Sequence, residues 1–153
     1  MASGDELRAA MRRFPAGIAV LTLQRPFGVT VGSLVSVSLE PPLLSAAIGI
    51  ETQAHELIRE EQGFALSLLA GDQDALAQHF ARSVPPIALW EGVAYREGAR
   101  GPLLEGALAW FECGLAAEHR AGDHTIFVGA VERVELGRDG SGLVYRDGRY
   151  AAA

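Results

Sequence analysis

Residues 28–43, Gly-Val-Thr-Val-Gly-Ser-Leu-Val-Ser-Val-Ser-Leu-Glu-Pro-Pro-Leu, carry the pattern on which the fold turns. From Val29 to Leu39 the residues alternate. Val29, Val31, Val35, Val37 and Leu39 share one face, broken by Ser33, while Thr30, Gly32, Leu34, Ser36 and Ser38 share the other. A period of two is that of a strand, here with one apolar face and one small, mostly hydroxyl-bearing face. Pro41-Pro42 ends it, because neither residue can donate to a ladder. Leu43 to Ile50 then reads as a strand buried on both faces.

Upstream, Ile18 to Leu23 is an apolar, partly β-branched run, and Arg25-Pro26-Phe27-Gly28 supplies the turn that follows it. Ser3 and Glu6 have capping-box spacing ahead of Leu7, Ala10, Met11 and Phe14, which recur on one helical face until Pro15-Ala16-Gly17 stops it. Downstream, Thr52 is placed to cap a helix running to Gln62, with Leu57 and Ile58 inward and Arg59, Glu60 and Glu61 solvated. Phe64 to Ala70 reads as a strand, and Asp72 as the cap of a helix with Leu76, Ala77 and Phe80 on its apolar face. Ser83 to Gly106 holds three Pro and four Gly and reads as a long excursion with at most short strands. Ala107 to Ala117 and Thr125 to Leu136 look like the arms of an antiparallel hairpin around a polar turn, Glu118 to His124. Gly142 to Arg146 and Arg149 to Ala152 flank Asp147-Gly148, a favoured two-residue hairpin turn. With about eight strands, three short helices and no regular helical crossovers, the expectation is a mainly β, antiparallel barrel rather than a doubly wound sheet.

The 153 residues, 49% hydrophobic and 21% charged, suit a single domain spanning 1–153 that buries about 70% of its unfolded surface. All 13 basic residues are Arg, against 19 acids, and no basic stripe stands out, which argues against a nucleic-acid partner. One Cys excludes an internal disulfide and paired-Cys zinc sites. Met1 to Phe14 lacks the apolar core of a signal peptide, and no apolar run reaches the length of a membrane span. A cytoplasmic protein without membrane contact is expected.

Cys113, between Phe111 and Leu115 in a strand, reads as a buried structural thiol. His55 and His79 fall on helices and read as ordinary surface or half-buried residues. No His-x-x-x-His pattern or His/Asp cluster appears, so no metal is expected. Hydrolase, Walker and Rossmann signatures are missing too. The hydroxyl face from Thr30 to Ser38 either lets a ligand approach the strand backbone closely or is simply a solvated strand face. Gly122-Asp123-His124 begins a strand after a turn and on its own is a plain turn.

Taken in order, these pieces resemble the flavin reductase-like family, the FMN-binding split barrels. The resemblance rests on Phe14-Pro15-Ala16-Gly17-Ile18-Ala19-Val20-Leu21-Thr22, then Gly28 to Leu43, then His55-Glu56-Leu57-Ile58. It continues through Phe64 to Leu69, Phe80-Ala81, Gly122-Asp123-His124, Val128-Gly129 and Leu143 to Tyr150. It implies a homodimeric Greek-key split β-barrel with a few short helices, binding FMN, or FAD in its place. It also implies an NAD(P)H-dependent flavin reductase supplying reduced flavin to a partner monooxygenase. A non-turnover FMN-binding electron carrier of the same fold is the alternative.

By the same resemblance, flavin contacts fall on Thr30, Val31, Gly32, Ser33, Ser36 and Val37, on Gly49, Thr52 and Gln53, and on Phe80 and Arg82. His124 matches a histidine beside the nicotinamide of NADH or NADPH. Members often carry Ser-Ser-x-Thr before the His-Glu-Leu segment, whereas this chain has Glu51-Thr52-Gln53-Ala54 and keeps one hydroxyl. Ser67 stands where Asn is frequent. Arg82 and the N-terminus of the Thr52 helix are the groups that could then hold the flavin phosphate.

Overall fold

The computed structural model describes residues 1–82 and 84–153; Ser83, the first residue of the expected excursion, lies outside them. Among the described residues the order is α1 (Gly4–Met11), β1 (Ala16–Gly17), β2 (Ala19–Leu23), β3 (Phe27–Val31), β4 (Val35–Leu39) and β5 (Pro42–Gly49). Then come α2 (Gln53–Glu61), β6 (Gly63–Leu68), α3 (Asp74–Ala81), β7 (Tyr95–Arg96) and β8 (Leu103–Leu104). The chain ends with β9 (Ala109–Ala121), β10 (His124–Leu136), β11 (Leu143–Arg146) and β12 (Arg149–Ala152). Seven strands form one antiparallel sheet in the order β3-β2-β6-β9-β10-β5-β4, and β1, β11 and β12 form a small second sheet. The mainly β, antiparallel expectation holds. The strands exceed the expected eight because two-residue pieces carry the excursion and the chain entry, and because the expected strand from Val29 to Leu39 is two strands.

β2 explains the layering. All five of its residues are buried, Ala19, Leu21 and Leu23 in one apolar cluster with Leu57, Ile58 and Phe127, and Val20 in a second with Ala77, Phe80 and Leu143. A strand covered on both faces reads as a nearly continuous apolar run, here broken only by Thr22, whose hydroxyl donates to the Pro102 carbonyl at 2.7 Å. α2 seals the first cluster, and α3 with the β11–β12 hairpin seals the second.

The expected strand from Val29 to Leu39 is two strands, separated at Gly32-Ser33-Leu34 and placed on opposite edges of the seven-stranded sheet. The Ser33 hydroxyl accepts from the Ala47 amide at 3.0 Å and donates to the Ala47 carbonyl at 3.1 Å. A side chain thus takes over from main chain as the ladder partner of β5, freeing the backbone to cross. The Val31–Val35 link can span at most about 15 Å, whereas the edges of a flat seven-stranded sheet lie about 29 Å apart. The sheet is therefore strongly curled. Pro42 does not end an element but opens β5, opposite Leu39, a first position where its missing N–H costs nothing.

Other expectations shift for local reasons. Asp72 does not cap α3, because it is drawn into an ion pair with Arg138. Gln73 takes the cap position without a side-chain cap bond, its Oε1 accepting instead from the Ala70 amide. The turn expected over Glu118 to His124 shrinks to Gly122-Asp123, with Gly122 at φ +61°, since β9 and β10 pair along the rest. α1 forms with its capping box intact, yet Leu7, Met11 and Phe14 are exposed. Among the described residues no helix is long and apolar enough to cross a membrane.

Candidate functional site

α3 lies so close to β3 that a side chain at Gly28 has no room. A Cβ there would sit 2.8 and 2.9 Å from ring carbons of Phe80. Thr30 pins the same helix, its hydroxyl donating to the Ala77 carbonyl at 2.6 Å. This packing leaves a cleft of about 490 Å³ walled by Phe27, Gly28 and Val29, by Phe80, Ala81 and Arg82, and by Val84, Pro85 and Leu89. Thr52 and Gln53, at the start of α2, close the remaining side.

The rim consists of donors. Thr52 caps α2, accepting from the His55 amide at 3.3 Å and donating to the Gly49 carbonyl at 2.7 Å. Helix geometry leaves the Gln53 and Ala54 amides without intrahelical partners, a setting that favours anions. Arg82 is exposed at the end of α3 and meets no carboxylate among the described residues. An apolar slot with a cationic, amide-rich lip is the donor set a flavin phosphate requires, so these residues fit that group.

His124 stands at the sheet end beside this lip. It opens β10 and pairs with Gly49 of β5 and Ala121 of β9. A Cβ on Gly49 would lie 3.4 Å from Thr52 Cγ2 and 4.0 Å from His124 Nε2, so Gly49 is the small residue that lets the helix cap and the imidazole approach. His124 Nδ1 is 2.7 Å from Asp123 Oδ1. That hydrogen bond, reinforced by the charge of the ring when protonated, holds the Asp123 carboxyl below the usual carboxylate range.

The structure thus gathers Gly49, Thr52, Gln53, Phe80, Arg82 and His124, with Thr30 committed beneath α3. It spends the Ser33 hydroxyl on β5, buries Val31 opposite Ala19, and sets Gly32 in the strand break against Ala16 and Ile18. Ser36 and Val37 are not in the cleft. Ser36 lines a separate apolar cavity of about 410 Å³ with Leu34, Leu39, Leu44, Phe111 and Val134, and Val37 is the extra residue of a bulge in β4. The sequence reading placed Phe27 and Gly28 in a turn and Val29 on an apolar strand face, and gave none of the three a part in the site. Its one signal, a glycine entering a strand, gains meaning only when Phe80 is folded onto it.

Other singled-out residues are structural. His55 is buried, its Nε2 2.8 Å from Thr125 Oγ1, and His79 Nε2 is 2.6 Å from the Leu89 carbonyl that accepts from it. Ser67 is fully buried and accepts from the Leu104 amide at 3.0 Å, anchoring β8. Cys113 is fully buried, and burial foremost pushes its thiol up to about 12. Among the described residues no group of three or more His, Cys, Asp or Glu side chains could hold a metal ion.

The family model described as the flavin reductase like domain matches residues 11–153. An NADH-dependent flavin reductase from a Rhodococcus species is 37% identical over 150 residues, which cover 94% of this chain and 83% of that protein. The reductase component of 4-hydroxyphenylacetate 3-monooxygenase from Thermus thermophilus is 36% identical over 144 residues, covering 92% and 91%. The crystal structure of BorF, the flavin reductase component of a bacterial two-component tryptophan halogenase, superposes with a TM-score of 0.92 at 35% identity over 98% of each chain. A match that runs from the end of α1 to the last residue leaves one conclusion: the chain belongs to the flavin reductase-like family.

Proposed function

We propose that the protein is an NAD(P)H-dependent flavin reductase, with NADH its expected donor, that passes reduced flavin to a separate monooxygenase in the cytoplasm. The observation that carries this reading is the single cleft joining an apolar slot, an anion-binding lip and, beside it, an imidazole oriented by a carboxylate. The names of similar proteins support it, since the Rhodococcus relative is an NADH-dependent flavin reductase and the Thermus relative a monooxygenase component. We further propose that residues 1–153 form one domain, that the curled sheet is a Greek-key split barrel, and that two copies pair. The three-residue link between opposite sheet edges supports the barrel.

When bound, FMN or FAD supplies a ring system that accepts hydride from a reduced nicotinamide. The chain's own part is binding and orientation. The Gln53 and Ala54 amides and the Arg82 guanidinium would hold the phosphate, while Phe27, Val29 and Phe80 exclude water from the slot. Asp123, ionised, can only accept, so the His124 Nδ1 carries the proton and Nε2 is left as an acceptor. In that tautomer Nε2 can take a hydrogen bond from the carboxamide N–H of a nicotinamide. No side chain needs to move a proton, because holding two rings within reach is the main contribution.

The test is anaerobic stopped-flow mixing of the flavin-loaded protein with NADH and with NADPH, following absorbance at about 450 nm, where oxidised flavin absorbs. Rapid bleaching with NADH is expected. If neither donor bleaches the flavin, the reductase reading fails and the protein is a flavin carrier.

A further inference from the structure

His55 and Thr125 do not line the cleft, yet they join its lip to the histidine beside it. α2 begins at the lip, where the Gln53 and Ala54 amides favour an anion, and β10 begins at His124. A closed circuit of hydrogen bonds links these two starts. The Gly49 carbonyl accepts from the Thr52 amide at 3.1 Å and from the Thr52 hydroxyl at 2.7 Å. That hydroxyl accepts in turn from the His55 amide at 3.3 Å. The His55 ring then reaches across to β10, its Nε2 2.8 Å from Thr125 Oγ1. Thr125 follows His124, which pairs with Gly49 in the sheet and returns the circuit to its start. On the β10 side the Ile50 amide donates to the Asp123 carbonyl at 3.0 Å, holding the residue that orients His124.

The contact between His55 and Thr125 is the step of the circuit made by two side chains. Both residues are buried, and the Phe127 ring covers the imidazole at 5.2 Å between centroids. A buried hydroxyl or ring nitrogen left without a partner is costly, so each holds the other in place. The Glu56 carboxylate, 3.2 Å from His55 Nδ1, can only accept. The ring proton therefore sits on Nδ1, and Nε2 accepts from the Thr125 hydroxyl. A helix start serves an anion only where its amides point, and a hydrogen bond to a stacked nicotinamide tolerates little displacement. We infer that His55 and Thr125 are positioning residues, whose hydrogen bond fixes the first turn of α2 against the start of β10. It thereby sets the separation between the phosphate lip and His124. The inference rests on the proposed reductase function for what those two ends hold.

The experiment compares Thr125→Val, which removes the hydroxyl at nearly constant shape, with Thr125→Ser, which keeps it. His55→Leu stands in if Thr125→Val does not fold. FMN and riboflavin affinities are read by fluorescence titration, KM and kcat for NADH by steady-state turnover, and folding by melting temperature. Thr125→Val is expected to weaken FMN about fivefold while leaving riboflavin, which has no phosphate, within about twofold. It should also raise the KM for NADH about fivefold with kcat within about twofold. That second effect should vanish in a His124→Ala background, because Thr125 acts through His124. Thr125→Ser, and His55→Gln with an amide oxygen to accept in place of Nε2, should keep both values near those of the unmodified chain. A Thr125→Val protein that melts lower yet keeps its FMN-to-riboflavin ratio and its KM overturns the inference. A loss at one end alone overturns it too, since the ends are then independent. Should the unmodified chain bind no flavin, or not be reduced by NADH, the reductase function falls instead and amide hydrogen exchange decides the circuit. Thr125→Val is then expected to quicken exchange about tenfold at both His55 and Ile50 with β9 unchanged, and unchanged exchange at either amide overturns the inference.

Discussion

Arg82 is the C-cap of α3, where the backbone turns to extended values, and so its side chain projects from the helix end rather than along its flank. An exposed, unpaired guanidinium contributes little to stability but much to an anion. Arg82→Ala is expected to lose charge-assisted hydrogen bonds of about 2 kcal/mol, weakening FMN roughly thirtyfold in a fluorescence titration with the melting temperature unchanged. His124→Ala should leave flavin affinity nearly intact and lower kcat/KM for NADH by about fivefold, the loss of one hydrogen bond. A lower melting temperature with unchanged turnover per folded molecule would mean that His124 only closes the turn. Cys113 gives a pH prediction. Burial first, then the Glu132 carboxylate, raises its thiol from 9.0 to about 12, with Arg100 opposing. The folded state therefore keeps a proton that the unfolded chain releases near pH 9, so stability is untouched below that and falls between about pH 9 and pH 12. Urea melts across that range should show the decline, and a thiol reagent at pH 8 should titrate one thiol only after unfolding. Rapid labelling of the native protein would contradict the burial.

Elements were legible in the sequence wherever the signal is local. The capping box of α1 appears as Ser3 N–H to Glu6 Oε2 at 2.7 Å and Glu6 N–H to Ser3 Oγ at 3.2 Å, and Thr52 caps α2 within a residue of the expected span. Asp147-Gly148 turns the last hairpin because both residues accept positive φ. The break at Gly32-Ser33-Leu34 was not legible, since the alternation of Val29 to Leu39 runs through it almost unchanged. What ends β3 is a long-range event, the Ser33 hydroxyl replacing main chain on β5. For the same reason the cleft was visible only by resemblance: nothing local says that Phe80 lies on Gly28, or that Ser36 and Val37 belong to another part of the surface. Ser33→Ala tests this account of the crossing. It leaves the Ala47 amide and carbonyl without their partner, at a cost of about 1–3 kcal/mol in urea denaturation. Hydrogen exchange should quicken at the start of β4 more than in β9, and uniform exchange with no loss of stability would remove Ser33 from its bridging role.

At the scale of the molecule, the curled sheet leaves one apolar face uncovered. Val35, Val37 and Leu39 of β4 are 55%, 50% and 85% exposed, and Val134 and Leu136 at the end of β10 are 53% and 82% exposed. Leu39 and Val134 line the same 410 Å³ cavity, so these two belong to one apolar surface. An apolar surface of this kind is what the proposed pairing of two copies would cover on both chains. Ser36 and Val37 lie on β4, away from their own chain's cleft. Flavin contacts at these two residues therefore require a second copy to bring one chain's β4 to the other's ligand. Sedimentation should give twice the 16.2 kDa chain mass for the native protein and the single mass for Leu39→Asp, with far-UV circular dichroism unchanged because Leu39 supports no core. The monomeric variant should also lose flavin affinity. A variant that is monomeric yet binds flavin as tightly as the native protein would confine the site to one chain, leaving Thr52, Gln53, Phe80 and Arg82 to hold the ligand without Ser36 or Val37.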